Sequence, residues 1–96
     1  MTRQISLLVD GQPIELDYFV QGFIDHTIGG MLAGLKGNGE IEDMDISIEG
    51  DEVTINLNGA VVPINPFVSK ITRNIIVGMV SSLKGVAEVN SVKITI

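Results

Sequence analysis

The 96-residue chain has no cysteine and no tryptophan, and only one tyrosine, three phenylalanines, one histidine and three prolines. Without cysteine there is no disulfide framework, no thiolate metal site and no cysteine nucleophile, a usage that fits a reducing compartment. Six bases against twelve acids give a net charge of −6, and aromatics make up only 4%. Nucleic acid, which needs basic patches and stacking platforms, is therefore not an expected partner. No apolar run approaches a membrane span. The run Leu7-Leu8-Val9 behind Arg3 is too brief for a signal peptide. The expectation is a cytoplasmic protein with no nucleic-acid and no membrane partner.

What is present is present twice. Phe19-Val20 … Ile28 … Gly30-Met31 … Leu35-Lys36-Gly37 returns 48 residues later as Phe67-Val68 … Ile76 … Gly78-Met79 … Leu83-Lys84-Gly85. The correspondence runs in both directions without a gap: Gly11 falls on Gly59, Glu40 on Glu88, Ile46 on Ile94 and Ile48 on Ile96. By count, 12 of the 48 aligned pairs are identical, and many others keep their type, such as Ile5/Val53, Asp10/Asn58 and Asp17/Asn65. The chain reads as one unit written twice, 1–48 and 49–96. A unit of that size seldom holds a core alone, so the two are expected to share one in a single domain, 1–96. Charge is not repeated. The first unit carries eight acids and two bases, the second four of each.

Each unit opens with an alternating strand, Ile5, Leu7 and Val9 or Val53, Ile55 and Leu57. Asp10-Gly11 and Asn58-Gly59 then supply the dipeptides most favoured in two-residue hairpin turns. A turn there brings Ile14 opposite Leu7 and Val62 opposite Ile55, so the apolar faces coincide. Pro13 and Pro63 then fall at non-hydrogen-bonded pairs on an edge arm. Asp17 and Asn65 are N-caps, with Pro66 at a first helical position, and Gly37 and Gly85 suit the left-handed C′ position. Helices are expected at 18–36 and 66–84. Closing strands carry Met44, Ile46, Ile48 and Val92, Ile94, Ile96, with polar residues between them.

These elements predict an α+β fold: a pseudo-symmetric tandem of two β(β)αβ units, with two helices on a mostly antiparallel sheet. If Glu49-Gly50-Asp51-Glu52 is a tight turn, a ferredoxin-like βαββαβ sandwich with strand order 4-1-3-2 is the nearest architecture. If the short arms 12–16 and 60–64 join the sheet, a six-stranded ββαβ-ββαβ variant is the alternative.

The helices are the informative part for function. Apolar residues of the first, from Phe19 to Leu35, cover an arc of roughly 220°, wider than a single-sided stripe. Gly30 and Gly34 lie in that arc, with Gly78 and Ser82 at the corresponding points of the second helix. Each interior glycine costs about 1 kcal/mol relative to alanine, which a close helix–helix contact at Gly30, Gly34, Gly78 and Ser82 would offset. The outer faces are expected to present Asp25 and His26 on one helix, and Lys70, Arg73 and Val77 on the other. His26 lacks a nucleophile, an orienting group and an oxyanion site around it, and reads as a solvated side chain. The acids between Glu40 and Glu52 lack calcium-loop spacing and read as a charged strand surface. The ending Leu83-Lys84-Gly85-Val86 … Val92-Lys93-Ile94 is similar to the close of a heavy-metal-associated domain. That family's Cys-x-x-Cys has no counterpart here, so no metal function carries over.

The expected function is therefore non-catalytic: a protein–protein interaction or oligomerisation module without catalytic residues, metal or cofactor. Its partner would be itself, as a homodimer, or another protein, reached through the helical layer. The alternative is a small-molecule sensor or carrier with a metabolite at that layer.

Overall fold

A computed structural model of the chain describes residues 4–36, 42–83, 86 and 88–96. Eight elements follow in order: β1 (Ser6–Val9), β2 (Gln12–Pro13), α1 (Tyr18–Lys36), β3 (Met44–Glu49), β4 (Glu52–Leu57), β5 (Ala60–Val61), α2 (Pro66–Ser81) and β6 (Ser91–Thr95). The six strands form one antiparallel sheet in the order β2-β1-β6-β3-β4-β5. The two helices pack on it, an α+β architecture.

Both Asx-Gly turns form. Asp10 and Asn58 adopt left-handed φ of 51° and 50°, and Gly11 and Gly59 follow at 79° and 81°. Two successive positive φ values define the primed turn whose twist suits a hairpin. The arms are short, but each continues one bond beyond its strand: Ile14 N–H donates to the Leu7 carbonyl and Val62 N–H to that of Ile55. Pro13 sits opposite Leu8, where no N–H is required.

The strand order differs from the ferredoxin-like 4-1-3-2 and follows the six-stranded ββαβ-ββαβ arrangement. The reason is that a strand has only two edges. In the ferredoxin-like order the first strand needs two neighbours besides any arm. Here β1 uses one edge for β2 and β4 uses one for β5. Each keeps a single free edge, filled by β6 and β3 respectively, and β3 and β6 pair in the centre. The tight turn at Gly50-Asp51, with Gly50 at φ 57°, coexists with both arms.

The registers obey the 48-residue shift. Leu7 pairs with Ile94, and Ile55 with Ile46. Leu8 pairs with Pro13, and Asn56 with Val61. In the central pair Ile46 faces Ile94, its own equivalent, so an approximate two-fold axis passes through that contact. The core lies on one face of the sheet, where Leu7, Ile46, Ile55 and Ile94 meet Ile28 of α1 and Ile76 of α2. Its buried hydrophobic members are all Ile, Leu, Val or Met.

Two clamps link the halves. The Asp10 carboxylate Oδ1 accepts from the N–H groups of Asn90 (2.9 Å) and Ser91 (2.7 Å). Asn58 Oδ1 accepts from those of Glu42 (2.8 Å) and Asp43 (3.1 Å), the same contact shifted by 48. The backbone bonds to Ser91, and then those to Asn90, hold the Asp10 carboxyl below the usual carboxylate range. A depressed folded-state pKa stabilises the fold in full above the ordinary aspartate pKa of about 4, and that contribution is lost as pH falls below it. Asp10→Asn keeps the acceptor, as Asn58 does, but not the charge. The stability gap between parent and variant should therefore be widest near neutrality and narrow on acidification. Denaturant titrations across the acid range check this, and a gap that does not change with pH would refute it.

The helix starts are as the caps dictate: Asp17 Oδ1 accepts from Val20 N–H and Asn65 Oδ1 from Val68 N–H, both at 2.8 Å. The second helix ends at Ser81, not at 84. The hydroxyls of Ser81 and Ser82 both donate to the Gly78 carbonyl, and Ser82 and Leu83 N–H close short turns onto Met79 and Val80. Such local side-chain bonds compete with helix continuation. Gly37 and Gly85 lie outside the described residues.

Candidate functional site

The sequence contains four aromatic side chains, and all four are exposed on the helices: Tyr18 (82%), Phe19 (75%), Phe67 (70%) and Phe23 (55%). Ile71 joins them at 44%. This inverts the usual allocation, in which aromatics dominate cores. Local structure explains it. The row Ile24, Ile28, Leu32 of α1 and the row Thr72, Ile76, Val80 of α2 are buried. Gln21, one turn before Ile24, accepts from Ile5 N–H through its Oε1 at 3.1 Å and ties that side of α1 to the first strand. With those rows turned inward, Phe19, Phe23, Phe67 and Ile71 point away from the sheet.

This rotation corrects several expectations. Gly30, Gly34, Gly78 and Ser82 are exposed, and a Cβ at any of the three glycines would have no neighbour within 4 Å. The close helix–helix contact is therefore not made within the chain. Asp25 is buried at 3% and does not belong to an outer face. Arg73 is half-buried and turned toward the β3–β4 turn, where its Nε donates to the Gly50 carbonyl and lies 3.7 Å from Asp51 Oδ1. Val77, one turn further along α2, is also half-buried. Of the expected charged surface, His26 and Lys70 remain exposed beside the aromatic rows.

The exposed layer has relief. Phe19, Gly22, Phe23 and His26 border a depression on α1, and Phe67, Lys70, Ile71 and Asn74, their equivalents 48 residues on, border one on α2. Phe19 and Phe23 are tilted against each other with centroids 6.1 Å apart. Between the helices runs an almost wholly apolar groove of about 360 Å³, bounded by Phe19, Val20 and Phe23 on one side and Met79, Ser82 and Leu83 on the other. The first half of α1 thus lies beside the end of α2.

Sequence reasoning missed the four aromatics as a site, although a signal was there. The Ile24-Ile28-Leu32 row is uninterrupted, whereas the Phe19-Phe23 row continues into His26, Gly30 and Gly34. A row that mixes large apolar, polar and glycine positions packs poorly against a sheet.

The opposite face of the sheet is polar, with Ser47, Thr54 and Thr95 around a Lys93–Asp45 ion pair at 3.6 Å. Lys93 is exposed and Asp45 half-exposed, so the pair is screened and adds little stability. Among the described residues, no group of three or more His, Asp or Glu side chains is placed to hold a metal ion, and no helix is long and apolar enough to cross a membrane. Comparison of the chain with protein-family models, with curated proteins and with solved structures finds no match.

Proposed function

We propose that the protein is a non-catalytic protein–protein interaction module of the cytoplasm, and that its contact surface is the outer face of the helical layer. One observation carries this reading: all four aromatic side chains are exposed, the three phenylalanines on that face, and none is in the core. Burying a side chain of this size yields on the order of 1.5–3 kcal/mol, which the isolated fold forgoes. Aromatic anchors are also the side chains that dominate binding energy at interfaces. Contiguous apolar patches of this kind mark contact sites more often than they occur on solitary proteins.

The test is quantitative affinity capture from the cells that make the protein, comparing the parent with Phe19→Lys/Phe67→Lys. Both positions are exposed, so stability should change by only about 0.5 kcal/mol. Loss of two anchors should weaken a partner's binding by at least roughly 30-fold, the equivalent of 2 kcal/mol. A set of captured proteins that is the same for parent and variant would overturn the reading.

The apolar groove beside Phe19 and Met79 supports a second reading, a carrier or sensor of an apolar metabolite. A ligand at a hundred times its Kd would raise stability by about 2.7 kcal/mol, so a thermal-shift screen with apolar and amphipathic metabolites separates the two.

A further inference from the structure

We infer that the occupant of this face is a second copy of the chain, packed helical layer to helical layer about a two-fold axis. The inference rests on the interaction reading above and goes beyond it by naming the partner. Three observations lead to it.

The first is shape. Along α1 the outward row is bulky at the start, with Phe19 and Phe23, and empty at the end, with Gly30 and Gly34. Phe19 and Gly34 are equally far from the point between residues 26 and 27, near the middle of α1, and so are Phe23 and Gly30. On α2 and its C-cap, Phe67 and Ser82, and Ile71 and Gly78, are related in the same way about the point between 74 and 75. A copy laid on this face with its helices antiparallel therefore sets each large side chain over a position with little or no side chain. The same count holds whether α1 meets α1 or α2 of the partner. The surface is complementary to itself, as a two-fold interface must be.

The second is area. Three phenylalanines at roughly 150–250 Å² each, reduced for the part already covered, supply on the order of 400 Å² before Ile71, the groove floor and the glycine backbone are added. A standard interface takes about 800 Å² from each partner. The third is charge. Two copies of net charge −6 repel, and most of their surface would bring carboxylates together. The helices are the exception, since Asp25 is the one acid within α1, is buried, and α2 has none. On this face two copies meet without opposed carboxylates.

Sedimentation velocity and light scattering across the micromolar range test the inference on the intact 96-residue chain. The 10.3 kDa chain should run as a dimer at the upper end, and Phe23→Lys should return it to monomer. Gly30→Leu is the sharper variant. Its side chain enters open space in the monomer, so the melting temperature of dilute protein should hold or rise, while filling the recess should weaken the dimer by roughly tenfold or more. A dimer tightened by Gly30→Leu would mean unspecific apolar adhesion and overturn the inference, as would a dimer indifferent to Phe23→Lys. A monomer at every concentration also overturns it. If affinity capture through Phe19 and Phe67 still succeeds in that case, the interaction reading stands and only the identity of the partner falls.

Discussion

Residues 1–48 expressed alone are expected to be unfolded, with a coil-like far-UV spectrum and no cooperative thermal transition. The strand order makes this a strong expectation. Both neighbours of β3, namely β4 and β6, belong to the second half. In the fragment β1 keeps only the two-residue arm β2, because its other neighbour is β6. A two-stranded hairpin is marginal at best in water, and α1 would have no sheet to cover. The Asp10 clamp also loses its donors, Asn90 and Ser91. The loss is the whole folding free energy, on the order of 5–15 kcal/mol for a small domain. Mixing 1–48 with 49–96 should restore helical signal, since every missing edge is then supplied. A fragment 1–48 that melts cooperatively as a monomer would show that the core is not shared.

The second large effect is expected at the central strand pair. Ile46 and Ile94 are fully buried, face each other across β3 and β6, and mark the approximate two-fold axis. Ile94→Ala removes three carbons where sheet and helices converge, and should cost about 2–5 kcal/mol by lost transfer energy plus an unfilled cavity. Ile46→Ala should cost a similar amount. The double variant should depart from additivity by more than ~0.5 kcal/mol, because the two truncations open one shared void. Exposed Val61, at 67%, is the control. Its truncation should change stability by no more than about 0.5 kcal/mol. Urea denaturation measures all four, and a loss below ~1 kcal/mol for Ile94→Ala would place the core elsewhere.

Much of the fold was legible because it depends on local chemistry. Asp10-Gly11 and Asn58-Gly59 dictated their turns, the turns dictated which apolar residues face each other, and Asp17 and Asn65 dictated where helices begin. Strand order is not local. It became determinate only once the arms were known to pair, since an arm on β1 removes the edge that a ferredoxin-like neighbour would need. The end of α2 was misjudged because Gly85 suggested a later stop than the Ser81-Ser82 hydroxyls impose. The candidate site was misread for a different reason. An apolar arc on a helical wheel gives Phe and Ile equal weight and admits glycine, so it could not say which side of a wide arc meets the sheet. The branched row at 24, 28 and 32 packs inward, and that choice alone moved Phe19 and Phe23 to the outside and Asp25 to the inside.

Asp45 and Lys93 stand 48 residues apart, and they form an ion pair across the central strands. Each is the other's counterpart under the shift that relates the halves. Had two identical 48-residue units met at this place, the position would have held a carboxylate against a carboxylate, or an ammonium against an ammonium. Joining the units in one chain frees the two positions to diverge, and here they carry opposite signs. The seam between the halves is thus polarised in a way that no assembly of identical half-length chains could reproduce. A single chain can break its approximate two-fold symmetry where symmetry is electrostatically unfavourable and keep it where apolar packing, as at Ile46 and Ile94, favours it.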